Sequence, residues 1–178
     1  MIYLTPKNTG NFDGISFCCA ALNVKGDYNY CDVIMVKDTV ITGTNNERLH
    51  EFSQTVPITL DDGFYRVFKK NKNEIILKLP VDGSIKYPDT SKAWPKGTPH
   101  KIIHINLIDA TLRSVAYTHI IHAMMKLEGF NQRMITIQWR YLVDLFPEDY
   151  IVSLYSTSLP LVFESGSFRA LIAPMEMR

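Results

Sequence analysis

"TGTNNERLHEF", Thr42 to Phe52, decides how this chain is read. It follows a strand-like run and holds an Arg, a Leu, a His and a Phe, where a hairpin needs only two turn residues. Upstream, "YCDVIMV" (Tyr30–Val36) and "TVITGT" (Thr39–Thr44) read as a hairpin joined at Lys37–Asp38. Downstream, "RLHEFSQTVPI" (Arg48–Ile58) reads as a further strand. Its apolar Leu49 and Val56 are separated by polar residues, which predicts one wet face.

"GFYRVFKKNKNEIILKL" (Gly63–Leu79) reads as a second hairpin, turning near Lys70–Asn73. Before these hairpins, residues 1–13 are polar and rich in turn formers. The apolar run Ile15–Val24 fits a helix or a strand equally. From Pro80 to Pro99 the chain changes character. Four of its nine prolines fall there, which predicts an extended connector.

Beyond it, "HKIIHI" reads as a strand, and Asn106 as the cap of the clearest helix. Leu107, Ile108, Leu112, Val115, Ala116, Ile120, Ala123, Met124 and Leu127 recur at helical spacing, and Gly129 stops the pattern. "MITIQW" reads as a strand and "RYLVDLF" as a short helix ended at Pro147. "YIVSLY", "LPLVFE" and "SFRALIAPM" read as three strands, the last two turning at Ser165–Gly166. The class is α+β, with antiparallel sheets and helices on one face. The organisation is residues 1–86 as a mostly-strand sub-domain, 87–99 as the connector, and 100–178 as a sub-domain with two helices.

The chain has 178 residues, 46% hydrophobic and 21% charged, which is enough for one ordinary or two small folded domains. The formal net charge of +1 sets up no global basic field. Cys18, Cys19 and Cys31 are an odd set and read as buried thiols of a reducing cytoplasm. Neither a signal peptide nor a membrane span is read.

No motif announces catalysis. Ser165 sits in a hairpin turn, and no phosphate-cradling glycine loop occurs. His119 and His122 are three apart on the predicted helix, and His104 could join them on a metal, although no carboxylate stands in a Glu-x-x-His pattern beside them. A metal-dependent enzyme therefore stays open as a rival reading. The basic run Arg66, Lys69, Lys70, Lys72 and Lys78, interleaved with aromatics, fits a phosphate-contacting patch or a solubilising hairpin tip. Arg113, Lys126 and Arg140 add cations on the helices.

Four segments in order resemble bacterial sliding clamps, the beta subunit of DNA polymerase III. "TGTNNERLHEF" resembles the family's "TDGHRL" strand-turn: Thr44, Arg48 and Leu49 match, while Asn45, Asn46 and Glu47 depart. "KYPDTSKAWP" is similar to the interdomain connector, from Tyr87-Pro88-Asp89 to Pro95. "ITIQWRYLVDLF" is similar to the Tyr-Leu-x-Asp helix of the last domain. "LVFESGSFRALIAPMEM" resembles the closing hairpin, with Ala173, Pro174 and Met175 in the first three places of a terminal Met-Pro-Met-Arg and Glu176 in place of the Arg.

The resemblance implies a DNA-replication accessory, a processivity factor without chemistry of its own and without a cofactor. It implies a cytoplasmic homo-oligomer near double-stranded DNA, for which the cations read from the charge pattern, Lys69, Lys70, Lys72, Arg113, Lys126 and Arg140, are the candidate contacts. It also implies a pocket of Thr44, Arg48, Leu49, Pro95, Ala173, Pro174 and Met175 that takes a short peptide from a DNA polymerase or another clamp-binding protein. Family protomers have three domains, and this chain has room for roughly half of that. A clamp-derived interaction module without DNA binding is the second reading.

Overall fold

The computed structural model describes residues 1–23, 28–55, 58–79, 85–127 and 135–176. The chain divides into two compact units, Met1–Pro88 and Asp89–Arg178. The class is α+β, as expected.

The first unit contains β1 (Ile2–Leu4), α1 (Phe12–Ala20), β2 (Val33–Lys37), β3 (Val40–Thr44), β4 (Arg48–Ser53), β5 (Gly63–Lys70) and β6 (Ile75–Lys78). Its strands are ordered β1-β6-β5-β2-β3-β4, and every neighbouring pair is antiparallel. Both predicted hairpins form. The first turns through Asp38–Thr39, one residue later than read, with Asp38 left-handed at φ 54° and its N–H donated to Asp62 Oδ1 at 2.8 Å.

Helix α1 resolves the ambiguous apolar run. It packs on β3 and β4 and buries Phe12, Ile15, Phe17, Cys18 and Cys19. That helix corrects the expected wet face of β4. Arg48, Leu49, His50 and Phe52 are all buried. Alternate residues of a strand face opposite sides, and Arg48, His50 and Phe52 lie on the side that α1 covers, where Phe17 stacks on His50 with centroids 4.3 Å apart. On the opposite side a smaller core joins Tyr30, Cys31, Val33 and Ile85, with Phe64 and Tyr87 packed against it. Strand β1 was not expected; it adds three residues opposite Ile75–Leu77. Val24 and Val56 lie outside the described residues.

The second unit opens with a 3-10 turn, Thr90–Lys92, inside the predicted connector, and then β7 (Lys101–Asn106), α2 (Ala110–Leu127), β8 (Ile135–Thr136), α3 (Trp139–Val143), β9 (Asp149–Leu154), β10 (Leu161–Ser165), β11 (Phe168–Ile172) and β12 (Met175–Glu176). Its main strands are ordered β11-β10-β9-β7, all antiparallel, and β12 pairs separately with β8. Ala116, Ile120, Ala123 and Met124 form the buried side of α2, which packs on β7.

Asn106 does not cap this helix. It ends β7, accepts from the Ile108 N–H at 2.9 Å and donates to Asp149 Oδ1 at 2.7 Å. Asp109 is the cap, accepting from the Leu112 N–H at 2.9 Å, three residues in. Leu112 and Val115, which fit the helical spacing, are exposed. The run "SFRALIAPM" is two strands, because Pro174 cannot donate to a ladder. Gly166 makes the β10–β11 turn at φ 51°. Gly129, the expected helix stop, and residues 80–84 of the expected connector lie outside the described residues.

Candidate functional sites of the two units

In the first unit the site begins at the β3–β4 turn. Thr44 Oγ1 donates to the Arg48 carbonyl at 2.8 Å, and Asn45 Oδ1 accepts from the N–H groups of Glu47 and Arg48, both at 3.1 Å. Asn46 is left-handed at φ 74° and accepts from the Tyr30 hydroxyl at 2.6 Å. Asparagine tolerates that backbone and supplies the local acceptors.

The residues after the turn have two jobs. Arg48, 3% exposed, donates its Nε to the Ala21 carbonyl at 3.3 Å, where α1 ends. A cation there satisfies a terminal carbonyl and complements the helix dipole. Nδ1 of His50 lies 2.8 Å from the Phe17 carbonyl and, in the neutral ring, donates to it. Burial first, then the Arg48 charge, pushes that imidazole down to about 3. Leu49 points the other way, directly across from Thr44. Of the three first-unit candidates, Thr44 and Leu49 thus share a face, and Arg48 braces the helix behind them.

In the second unit, Met175 is half-buried and lies across from Thr136. The Gln138 amide, at the start of α3, approaches Met175 Sδ to 3.3 Å. The Tyr117 hydroxyl lies 2.9 Å from Thr136 Oγ1, which ties β8 to α2. Ala173 and Pro174 are half-buried between β11 and β12, and Pro95 is half-buried next to Trp94. Arg169 holds Trp94 by stacking its guanidinium 3.9 Å from the ring centroid, and its Nε also meets Glu164 Oε1 at 3.1 Å. Gln138 and Arg169 were not singled out from sequence. Nothing local marks them, since their partners are distant in the chain.

The basic candidates do not form one patch. Lys69 lies across from Ile76 and Lys70 across from Ile75, so the two leave opposite faces of the sheet. Lys69 pairs with Glu74 at 2.8 Å, and Lys72 is exposed in the turn. Arg113 and Lys126 are roughly 20 Å apart along α2 at 1.5 Å per residue, and the Arg113 Nε is buried. Arg140 is exposed on α3, 5.6 Å from the Tyr141 ring.

His104, His119 and His122 are exposed, and among the described residues no three His, Cys, Asp or Glu side chains are grouped to hold a metal. Ser165 donates its hydroxyl to Glu148 Oε2 at 2.6 Å, so it faces a carboxylate and not a base of the serine–histidine kind. No helix among the described residues is long and apolar enough to cross a membrane.

No protein-family model matches the sequence, and no curated protein matches it. Solved structures do. The fold is that of the bacterial DNA sliding clamps. The beta chain of DNA polymerase III from Streptococcus pneumoniae is 14% identical with a TM-score of 0.62, over 99% of this chain and 64% of that one. The sliding clamp from Pseudomonas aeruginosa is 13% identical with a TM-score of 0.62, over 99% and 66%. The beta clamp of Helicobacter pylori, bound to a DNA ligase peptide, is 11% identical with a TM-score of 0.57, over 92% and 62%. This chain therefore spans just under two-thirds of those structures.

Proposed function

We propose that the chain is a replication accessory of the sliding-clamp type. It docks the short peptide of a polymerase or other replication protein, contacts duplex DNA and performs no chemistry. The observation that carries this reading is the clamp fold, matched over 99% of the chain. The peptide half draws support from the relative solved with a DNA ligase peptide. The candidates for the peptide are Thr44, Leu49 and the bracing Arg48 in the first unit. In the second unit they are Pro95, Ala173, Pro174 and Met175. A methionine held at its sulfur by an amide keeps a flexible, polarizable surface that adapts to varied partners.

Calorimetric titration with that DNA ligase peptide tests the peptide half. Binding by the wild-type chain, lost in Met175→Asp while unfolding stays cooperative, supports it. Equal affinity in the variant removes Met175 from the site, and no heat with either chain removes the peptide half. Self-assembly is the ring-forming part of the proposal, and solution mass measurement tests it: a strict monomer on duplex DNA rules out a closed homo-oligomer.

A further inference from the structure

The first unit's sheet has a face turned away from α1, and among the described residues Tyr3 and Phe68 are exposed at one end of it. Residues directly across an antiparallel ladder point the same way. The register Tyr3–Ile76–Lys69 and the pair Arg66–Lys78 therefore put Tyr3, Lys69, Arg66 and Lys78 on that face. The β5–β6 ladder is broken between Val67 and Lys69, and the residue left over is Phe68. Phe68 is 59% exposed and Tyr3 57%. Lys78 Nζ sits 4.8 Å from the centroid of the Phe68 ring, which puts Phe68 on the same face.

A bulge that turns a phenylalanine to water gives up about 1.5–3 kcal/mol of burial. Bulges recur where a side chain is re-aimed for use. Of the five cations between Gly63 and Leu79, Lys70 leaves by the other face, Arg66 lies 3.1 Å from Asp32 and Lys69 pairs with Glu74, which leaves Lys72 in the turn and Lys78 beside Phe68. Two exposed rings beside Lys72 and Lys78 suit an anion with flat, apolar parts.

We propose that this sheet face binds single-stranded nucleic acid, with Phe68 stacking on a base, Tyr3 offering a second ring, and Lys72 and Lys78 meeting phosphates. Exposed aromatics flanked by cations are the usual platform for unpaired bases, since every base has a π-face that a duplex hides. An acidic peptide fits less well. The guanidinium fork that would grip a carboxylate belongs to Arg66, and it is already 3.1 Å from Asp32 Oδ2. The inference shares Lys72 with the duplex-contact reading and is independent of peptide docking.

Fluorescence anisotropy of the full chain with a labelled oligothymidine of about 16 nucleotides, the upper end of ordinary site sizes, tests it against a duplex of equal length. The expected result is tighter binding of the single strand, weakened about 5- to 100-fold by Phe68→Ala and kept by Phe68→Tyr. Lys78→Gln lowers affinity and flattens the salt dependence. Phe68 is exposed, so its variants keep the wild-type melting curve. Equal binding of both DNA forms with no effect of Phe68→Ala overturns the stacking site and leaves the duplex reading standing. Competition by polyglutamate or by anionic vesicles as strong as by the oligonucleotide also overturns it. No binding of either DNA form removes both readings.

Discussion

Gly43 of β3 lies directly beneath the Cys18 carbonyl of α1. A Cβ built on Gly43 overlaps that carbonyl oxygen and comes 2.9 Å from its carbon. Backbone thus meets backbone here, and a glycine inside a strand is the residue that permits it. The Cys18 thiol adds a contact to the Ile41 carbonyl at 3.2 Å. Gly43→Ala must lift the helix, and overpacking of that kind costs about 1–3 kcal/mol. Gly10 has nothing within 4 Å of its Cβ position, so Gly10→Ala stays within about 0.5 kcal/mol of wild type. Urea midpoints of the two variants check the contrast. Equal midpoints would mean that α1 does not sit this close to β3.

Acid stability turns on His50. Its Nε2 has no hydrogen-bond partner among the described residues, and the ring stays neutral in the fold down to about pH 3. The unfolded chain takes that proton near pH 6.5. Between those values the unfolded state binds more protons, so stability falls as pH drops, by up to about 1.4 kcal/mol per unit. His50→Gln removes that part of the slope. Chemical denaturation at pH 7 and pH 4.5 measures it, and an unchanged slope would place the imidazole in water.

Tyr87 governs part of the alkaline side. Its hydroxyl donates to the Thr42 carbonyl at 3.1 Å, and burial pushes the phenol above its ordinary value. Unfolded tyrosine ionises near pH 10. The fold therefore loses stability as pH rises past about 10. Tyr87→Phe costs about 1 kcal/mol at neutral pH and shallows the alkaline loss. Tyr30, Tyr65 and Tyr150 shift the same way and keep the remainder. Melting temperatures of both chains at pH 7 and pH 10.5 decide it.

The thiols should report opening of the first unit. Burial raises Cys18 well above its usual range and Cys19 to about 12, and Cys31 is buried as well. Thiolate is the reactive form. A disulfide reagent at pH 8 should leave the native chain unmodified over minutes and titrate all three thiols in denaturant. Immediate native reaction at Cys18 or Cys19 would contradict the packing of α1.

Arg169→Ala should free Trp94. The wild-type guanidinium stacks on the indole at 3.9 Å, a contact worth about 0.5–1 kcal/mol at an exposed site. In a Trp139→Phe background, Trp94 alone emits. Its emission should shift to the red and become more accessible to iodide in the Arg169 variant, whereas unchanged quenching would show that other contacts hold the ring.

The hairpins were legible because alternation and turn residues are local signals. Helix α1 was ambiguous because Phe17 to Leu22 are six consecutive apolar residues, which blur the period. Arg48 and His50 looked like a wet face, since polar residues in a strand usually are one. Their partners, the carbonyls of Ala21 and Phe17, belong to a helix that the sequence did not declare. Lys69 and Lys70 looked like one patch because they are adjacent in the chain, and strand geometry sends them apart. Met175 was marked by a resemblance, whereas Gln138, which touches its sulfur, had no signal of its own.

The pairing of β1 with β6 also sets a timetable. Ile2, Tyr3 and Leu4 leave the ribosome well before their partners Leu77, Ile76 and Ile75 are made. Until then the nascent chain carries an unmatched strand, open to the wrong neighbour. Long-range strand pairing of this kind is intrinsically slow. Translation speed across Ile75–Lys78 therefore bears on the yield of correctly folded chains.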